Sequence, residues 1–211
     1  MFEDLPAAGR DAQVWAFNDR PRETGMELQH DAALILIDQQ KGILHPRLGP
    51  RNNPEAELRM LELLVFWRGT ARPVIHVHHL SRSPDSVFWP GQSGVEVQPR
   101  FAPLAGERLV EKQVPDAFCG TTLEADLRSA GIGQLVIVGV ATNNSVESTA
   151  RTAGNLGFDT WVAEDACFTF DKADYFGNAR SAAEVHGMSL ANLHGEYATV
   201  GSVKQILQAG E

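Results

Sequence analysis

The sequence is short of cysteine, of long apolar runs and of positive charge. Only Cys119 and Cys167 occur in 211 residues, too few for a disulfide framework and without the paired spacing of a thiolate metal site, so a reduced compartment is expected. No stretch approaches the roughly 20 apolar residues needed to cross a bilayer. The opening MFEDLPAAGRD has neither a basic start nor an apolar run, so no membrane partner and a cytoplasmic location are expected. Acidic residues outnumber basic ones by 27 to 18, for a formal charge of -9, and no Lys/Arg run interrupts that balance. Nucleic acid is therefore not an expected partner. A Gly-x-Gly-x-x-Gly turn is also missing, since DQQKG and GVATN follow the two most apolar runs, and dinucleotide-dependent redox chemistry loses its main signal.

What is present fits one sizeable domain. Residues 1–30 carry Pro, Gly and charge with Val14, Trp15 and Phe17 as a local apolar group, and are expected to form an N-terminal arm laid over a neighbouring surface. Residues 31–211 form the domain proper. AALILID (32–38), PVIHVHH (73–79), RLVEK (108–112), QLVIVGV (134–140) and GFDTWVAEDAC (157–167) read as successive strands. The first and fourth are continuous apolar runs of the kind buried on both faces. Helices are expected over 54–69, with Leu58, Leu61, Leu64 and Val65 grouped at helical spacing, over 121–131 behind a Thr, over 144–156 and over 181–195; ATVGSVKQILQ closes with an edge strand and a last helix. The alternation predicts an α/β, three-layer Rossmann-like fold with a mostly parallel six-stranded sheet flanked by helices. The longest irregular stretch, 81–107, holds Phe88 and Trp89 beside Pro90 and Gly91, and suits a pocket wall or a subunit contact.

In such a sheet, ligands bind beyond the carboxyl ends of the strands, where strand order reverses. Asp38 ends the first run, Lys112 the third, and Ser145 lies on the turn leading from the fourth into its helix. An acid, an ammonium and a hydroxyl gathered there would make an ion pair beside a nucleophile. Taken singly, each has an ordinary reading: a helix cap or surface pair for Asp38, a solvated lysine for Lys112, a capping serine for Ser145. A helix start would in any case serve a thiol better than an alcohol, because only the thiol is readily driven to its anion.

Three blocks in this order, ILIDQQKG, EKQVPDAFCGT and VIVGVATNNSVESTAR, resemble the isochorismatase-like cysteine hydrolases, the superfamily of nicotinamidases, ureide hydrolases and isochorismatase itself, over about residues 30 to 201. The resemblance implies that Asp38 takes the nucleophile's proton, that Lys112 orients or stabilises the charged pair, and that position 145 attacks a carbonyl. It also implies a non-proline cis peptide at Val140-Ala141, with the N–H groups of Ala141 and Ser145 facing the oxyanion. Dimers or tetramers are usual in the superfamily, so a homodimer or homotetramer is implied.

The superfamily's cysteine is replaced here by Ser145. Three accounts follow: a deliberate replacement giving an inactive protein that still holds its substrate, which the intact surroundings favour; a natural serine hydrolase using the Asp38 and Lys112 pair; or a member that does not attack covalently. Isochorismatase-type hydrolysis of a vinyl ether is the precedent for the last, and a non-catalytic ligand-binding member is a further alternative. TNN and VESTAR around Ser145 resemble the amide-cleaving branch, which makes a small amide or ureide the expected substrate. Cys119 lines the pocket at most, and Cys167, after the fifth strand, reads as a small buried hydrophobe.

Nicotinamidases resemble one another in an Asp and His metal site, but LHPRLGPRNN (44–53) holds His45 with no matching Asp and second His. Strand alternation sends His76 and His78 to one side of the sheet and His79 to the other. Histidines bonded to backbone carbonyls are expected, with no metal and no other cofactor. His79 is kept as a pocket candidate with Phe88, Trp89, Phe118 and Cys119. His186 and His194, eight apart, are expected on one face of the penultimate helix as packing residues.

Overall fold

The computed structural model of the chain describes residues 27–210. All but the last four residues of the expected arm fall outside that range; of those four, Leu28 is buried and its N–H bonds the Ala209 carbonyl at 2.9 Å. Six parallel strands form the main sheet: β1 (Ala33–Ile37), β2 (Val74–His79), β3 (Arg108–Lys112), β4 (Gln134–Val140), β5 (Asp159–Phe168) and, after a short antiparallel pair β6 (Lys172–Ala173) and β7 (Ala179–Arg180), β8 (Thr199–Gly201). The order across the sheet is β3-β2-β1-β4-β5-β8. The chain thus winds outward from β1 in one direction and then, from β4, in the other. The switch point lies between the carboxyl ends of β1 and β4.

Helices cover both faces, which is why β1, and β4 after its first residue Gln134, are apolar and both strands are buried at every position. Leu34 and Leu36 face a layer built from α1 (Ala56–Gly69) and α5 (Val203–Gln208), while Ala33, Ile35 and Ile37 face one built from α2 (Leu123–Ser129), α3 (Glu147–Asn155) and α4 (Ala182–Leu193). Burying each large apolar side chain of these layers contributes about 1.5–3 kcal/mol.

Helix α1 presents a different face from the expected one. Leu58 and Val65 are exposed, Leu61 is half-buried, and the inward residues are Ala56, Met60, Leu63, Leu64 and Trp67. Apolar residues fall on every side of the helix, interleaved with Glu57, Arg59, Glu62 and Arg68, so its pattern does not choose a side; Trp67 does, since its indole N–H reaches the Ala32 carbonyl at 2.8 Å and its large ring needs the core. Thr122 stands at the cap position of α2, but Thr121 is the residue whose Oγ1 accepts the Leu123 N–H, at 3.2 Å. Cys167 lies within β5 rather than after it.

Gly139 is a backbone position with no side-chain alternative. It sits at φ 128°, beside a register shift in the β4–β5 pairing, and a Cβ built on it would lie 2.2 Å from the Ile37 carbonyl oxygen. Both the left-handed φ and the close approach to β1 demand glycine. Gly139→Ala is expected to destabilise the protein by about 2–4 kcal/mol, seen as a melting temperature lower by roughly 5–15 °C; a melting temperature within about 2 °C of the parent contradicts this account.

Candidate active site

Three strand ends converge at the switch point. Asp38 leaves β1 at φ 56°, a left-handed turn that aspartate tolerates better than most residues. Its N–H is held by the Val77 carbonyl at 2.8 Å, so the carboxyl is turned off the strand direction while its backbone stays paired. Lys112 ends β3, two strands from β1 and thus about 10 Å across the sheet. Its four-carbon stem covers that gap, and the side chain is fully buried rather than solvated. Lys112 Nζ donates to Asp38 Oδ2 at 2.9 Å and to Ser145 Oγ at 3.2 Å.

Burial pushes the Asp38 carboxyl above the usual carboxylate range; the Lys112 charge and the hydrogen bonds from Lys112 and Ser145 pull it back without cancelling that rise. A carboxyl so placed can hold and return a proton. Its Oδ1 is buried with no partner among the described residues.

Ser145 rides on a π-helical turn, Thr142–Val146, which runs into α3. The preceding Val140-Ala141 peptide is cis, as the resemblance implied. The Ala141 carbonyl accepts the N–H groups of Asn144 at 3.0 Å and Val146 at 3.2 Å. Helix α4 clamps the turn from outside: Thr142 Oγ1 lies 2.9 Å from His186 Nδ1, and the single hydroxyl hydrogen of Ser189 is shared between the Thr142 carbonyl at 3.0 Å and Glu147 Oε2 at 2.7 Å. Thr169 Oγ1 donates to Asn143 Oδ1 at 2.5 Å from the β5 side. Gln40 Oε1 accepts the His79 N–H at 2.7 Å, and Gln40 Nε2 donates to the His79 carbonyl at 3.0 Å. None of these supports is marked in the sequence by more than a single polar residue.

Three clefts among the described residues are lined by none of Asp38, Lys112 and Ser145. One of about 510 Å³ lies between the 43–58 segment and Phe170. Another, of about 520 Å³, runs between Lys41–Arg47 and the 84–94 loop. The third, about 690 Å³, lies between α4 and the β6–β7 hairpin and reaches the π-turn at Asn143.

The isochorismatase domain matches residues 32–203. The chain belongs to the isochorismatase family. It is 36% identical over 180 residues to the isochorismatase family protein YrdC of Bacillus subtilis, itself uncharacterized, covering 85% of this chain and 96% of that one. A solved structure of an isochorismatase-family protein from Chromobacterium violaceum superposes with a TM-score of 0.85 at 49% identity, over 88% of this chain and 96% of the other. Nicotinamidase 3 of Arabidopsis thaliana is 28% identical over 175 residues, 77% of this chain and 80% of its own length.

The other candidate residues of this family member divide. His79 and Phe88 meet edge to face at 5.6 Å, with Phe88 also against Gly42, and Trp89 is half-buried on the same turn. Phe118 packs into the core, stacked on Phe158 at 5.9 Å, and Cys119 is exposed beside it. Burial pushes the Cys167 thiol up to about 12, and it remains a small buried side chain. His194 does not share the α4 face with His186; it caps the helix end and its Nδ1 accepts the Val200 N–H at 3.0 Å. Among the described residues no three His, Cys, Asp or Glu gather as metal ligands, and no helix is long and apolar enough to cross a membrane.

His76 is bonded not to a backbone carbonyl, as expected, but to a carboxylate. Burial pushes its ring below the usual histidine range against the pull of Glu107, so the neutral ring donates its Nε2–H to Glu107 Oε2 at 2.7 Å. Burial would raise Glu107, but its bonds from Arg68, the Leu104 N–H and His76 outweigh that and hold it at about 2, against an ordinary 4.5. A depressed folded value means that the stabilisation is complete above pH 4.5 and is lost as pH falls from there toward 2. E107Q is therefore expected to be less stable than the parent at pH 7 and to lose less further stability between pH 5 and pH 3. Urea midpoints at those pH values measure this, and equal acid losses in both proteins contradict it.

Proposed function

We propose that the chain is a hydrolase of the C–N bond in a small amide or ureide, with Ser145 at the nucleophile position weakening or disabling turnover. The observation that carries this reading is the Lys112 ammonium bonding both Asp38 Oδ2 and Ser145 Oγ, which sets the hydroxyl beside the buried pair. A hydroxyl so placed has a base within reach and a cation that stabilises that base as a carboxylate. A relative named for an amidase agrees with the bond type.

In the amide reaction, the group at 145 passes its proton to Asp38 as it bonds to the carbonyl carbon. The N–H groups of Ala141 and residue 145 then face the resulting oxyanion. Collapse breaks the C–N bond as Asp38 returns the proton to the leaving nitrogen, and ammonia or an amine departs. Water, losing a proton to the same carboxylate, releases the acid and regenerates the nucleophile. No metal and no other cofactor takes part in this scheme. A thiol suits the first step because its pKa, near 8.5, allows the transfer to a carboxylate of raised pKa; an alcohol holds its proton far more tightly. Lys112 serves by keeping the charged pair in place. Both cysteines as free thiols suit a cytoplasmic setting, and a homodimer or homotetramer is the assembly we propose.

Ammonia release from nicotinamide, biuret, N-carbamoyl amino acids and short aliphatic amides tests the reading. Ser145→Cys is expected to exceed the parent by about a hundredfold or more on at least one compound, and Lys112→Met in that background to remove most of the gain. Absence of ammonia from every compound with either nucleophile overturns it in favour of an ether substrate or a binding role. Equal turnover by the two makes residue 145 either an active alcohol or a bystander, and overturns the claim that serine disables the site.

A further inference from the structure

The end of β2 carries a polar atom that the protein itself does not use. His79 is paired in register with Lys112 on β3, so the two side chains leave the sheet on the same side, next to each other. The His79 main chain is held at both its N–H and its carbonyl by Gln40, and its ring stands at 89° to Phe88. A side chain anchored this firmly nevertheless leaves Nδ1 buried with no hydrogen-bond partner among the described residues. Asp38 Oδ1 is in the same condition, its sister oxygen being taken by the Lys112 ammonium. Buried polar atoms are nearly always paired; of the four exceptions among the described residues, which also include Gln39 Oε1 and Gln98 Nε2, these two belong to residues beside one lysine and call for a common cause.

Both residues adjoin Lys112, Asp38 by direct contact and His79 as its register partner on the neighbouring strand. The Lys112 charge acts on the His79 ring, which burial first and that charge second push down to about 4. The imidazole is therefore uncharged near neutral pH and offers one ring nitrogen as an acceptor. A carboxylate oxygen is an acceptor as well. Two unpartnered acceptors on residues that both adjoin Lys112 match a group with two hydrogens on one atom.

We infer that His79 is a specificity-determining residue whose Nδ1, together with Asp38 Oδ1, accepts the two N–H bonds of an unsubstituted –NH2 on the substrate. The leaving group is then ammonia, held beside the carboxyl that must protonate it, and N-substituted amides and esters are disfavoured because they leave one or both acceptors buried and unpaired. The inference deepens the C–N hydrolase reading and rests on it for the chemistry; its binding half stands without turnover.

Two measurements separate the two claims. In protein carrying ¹⁵N-histidine and the native Ser145, acetamide and biuret are expected to move the His79 Nδ1 resonance, with N,N-dimethylacetamide leaving it in place. No movement with either primary amide overturns the inference whatever the enzyme does. In the Ser145→Cys background, His79→Phe is expected to lower the ratio of primary-amide to p-nitrophenyl acetate hydrolysis at least tenfold, mainly through KM for the amide. His79→Gln, which restores an acceptor oxygen, is expected to recover part of it. An unchanged ratio, with both activities falling together, reduces His79 to a structural role and overturns the inference. Ester cleavage without any amide cleavage, accompanied by the Nδ1 shift, sinks the C–N hydrolase reading and leaves the binding assignment intact.

Discussion

The ion pair between Asp38 and Lys112 is the constraint around which the carboxyl end of the sheet is arranged. Both partners are buried, and removing two charges from water costs several kcal/mol each unless they meet in good geometry. That geometry requires three strands in fixed register: β1 to deliver Asp38, β3 to deliver Lys112, and β2 between them to set the distance the lysine stem must cross. Such a pair is weak as a stabilising device, since well-packed apolar residues of similar volume would serve as well or better. Its position at the switch point, in contact with Ser145, is what gives it a use.

The fourth strand brings the hydroxyl to that pair under a different set of demands. Gly139 lets β4 pass close against the Ile37 carbonyl, and the π-turn that follows is braced by α4 through His186 and Ser189 and by β5 through Thr169. The turn is therefore fixed by elements that come later in the chain. A hydroxyl or thiol on it is positioned by the whole α/β unit rather than by its own helix, which accounts for side chains as ordinary as threonine and serine recurring around the site.

Much of this arrangement was legible in the sequence. Continuous apolar runs ending in Asp38 and Val140 announced central parallel strands, because only a sheet covered on both faces buries every residue. The blocks around Asp38, Lys112 and Ser145 identified the family resemblance, and strand alternation correctly separated His79 from His76 and His78. The same logic failed on α1, where apolar residues on every side of the helix leave its pattern no preferred one. It also failed for His194, which the chain uses as a helix end rather than a helix face. The Glu107 partner of His76 was invisible, lying 31 residues away in an irregular loop.

The sequence by itself determined the layers of the fold, the family and the residue types at three strand ends, since periodicity, apolar runs and short motifs are local properties written in consecutive residues. Only the tertiary structure decided that the lysine 74 residues from Asp38 is its buried partner and that the same ammonium reaches a serine 33 residues further on. It alone decided as well that His79 Nδ1 and Asp38 Oδ1 are left over beside them. Which polar atoms are paired depends on how far each strand end protrudes and which way it turns, and those are set by register and by the packing of distant helices.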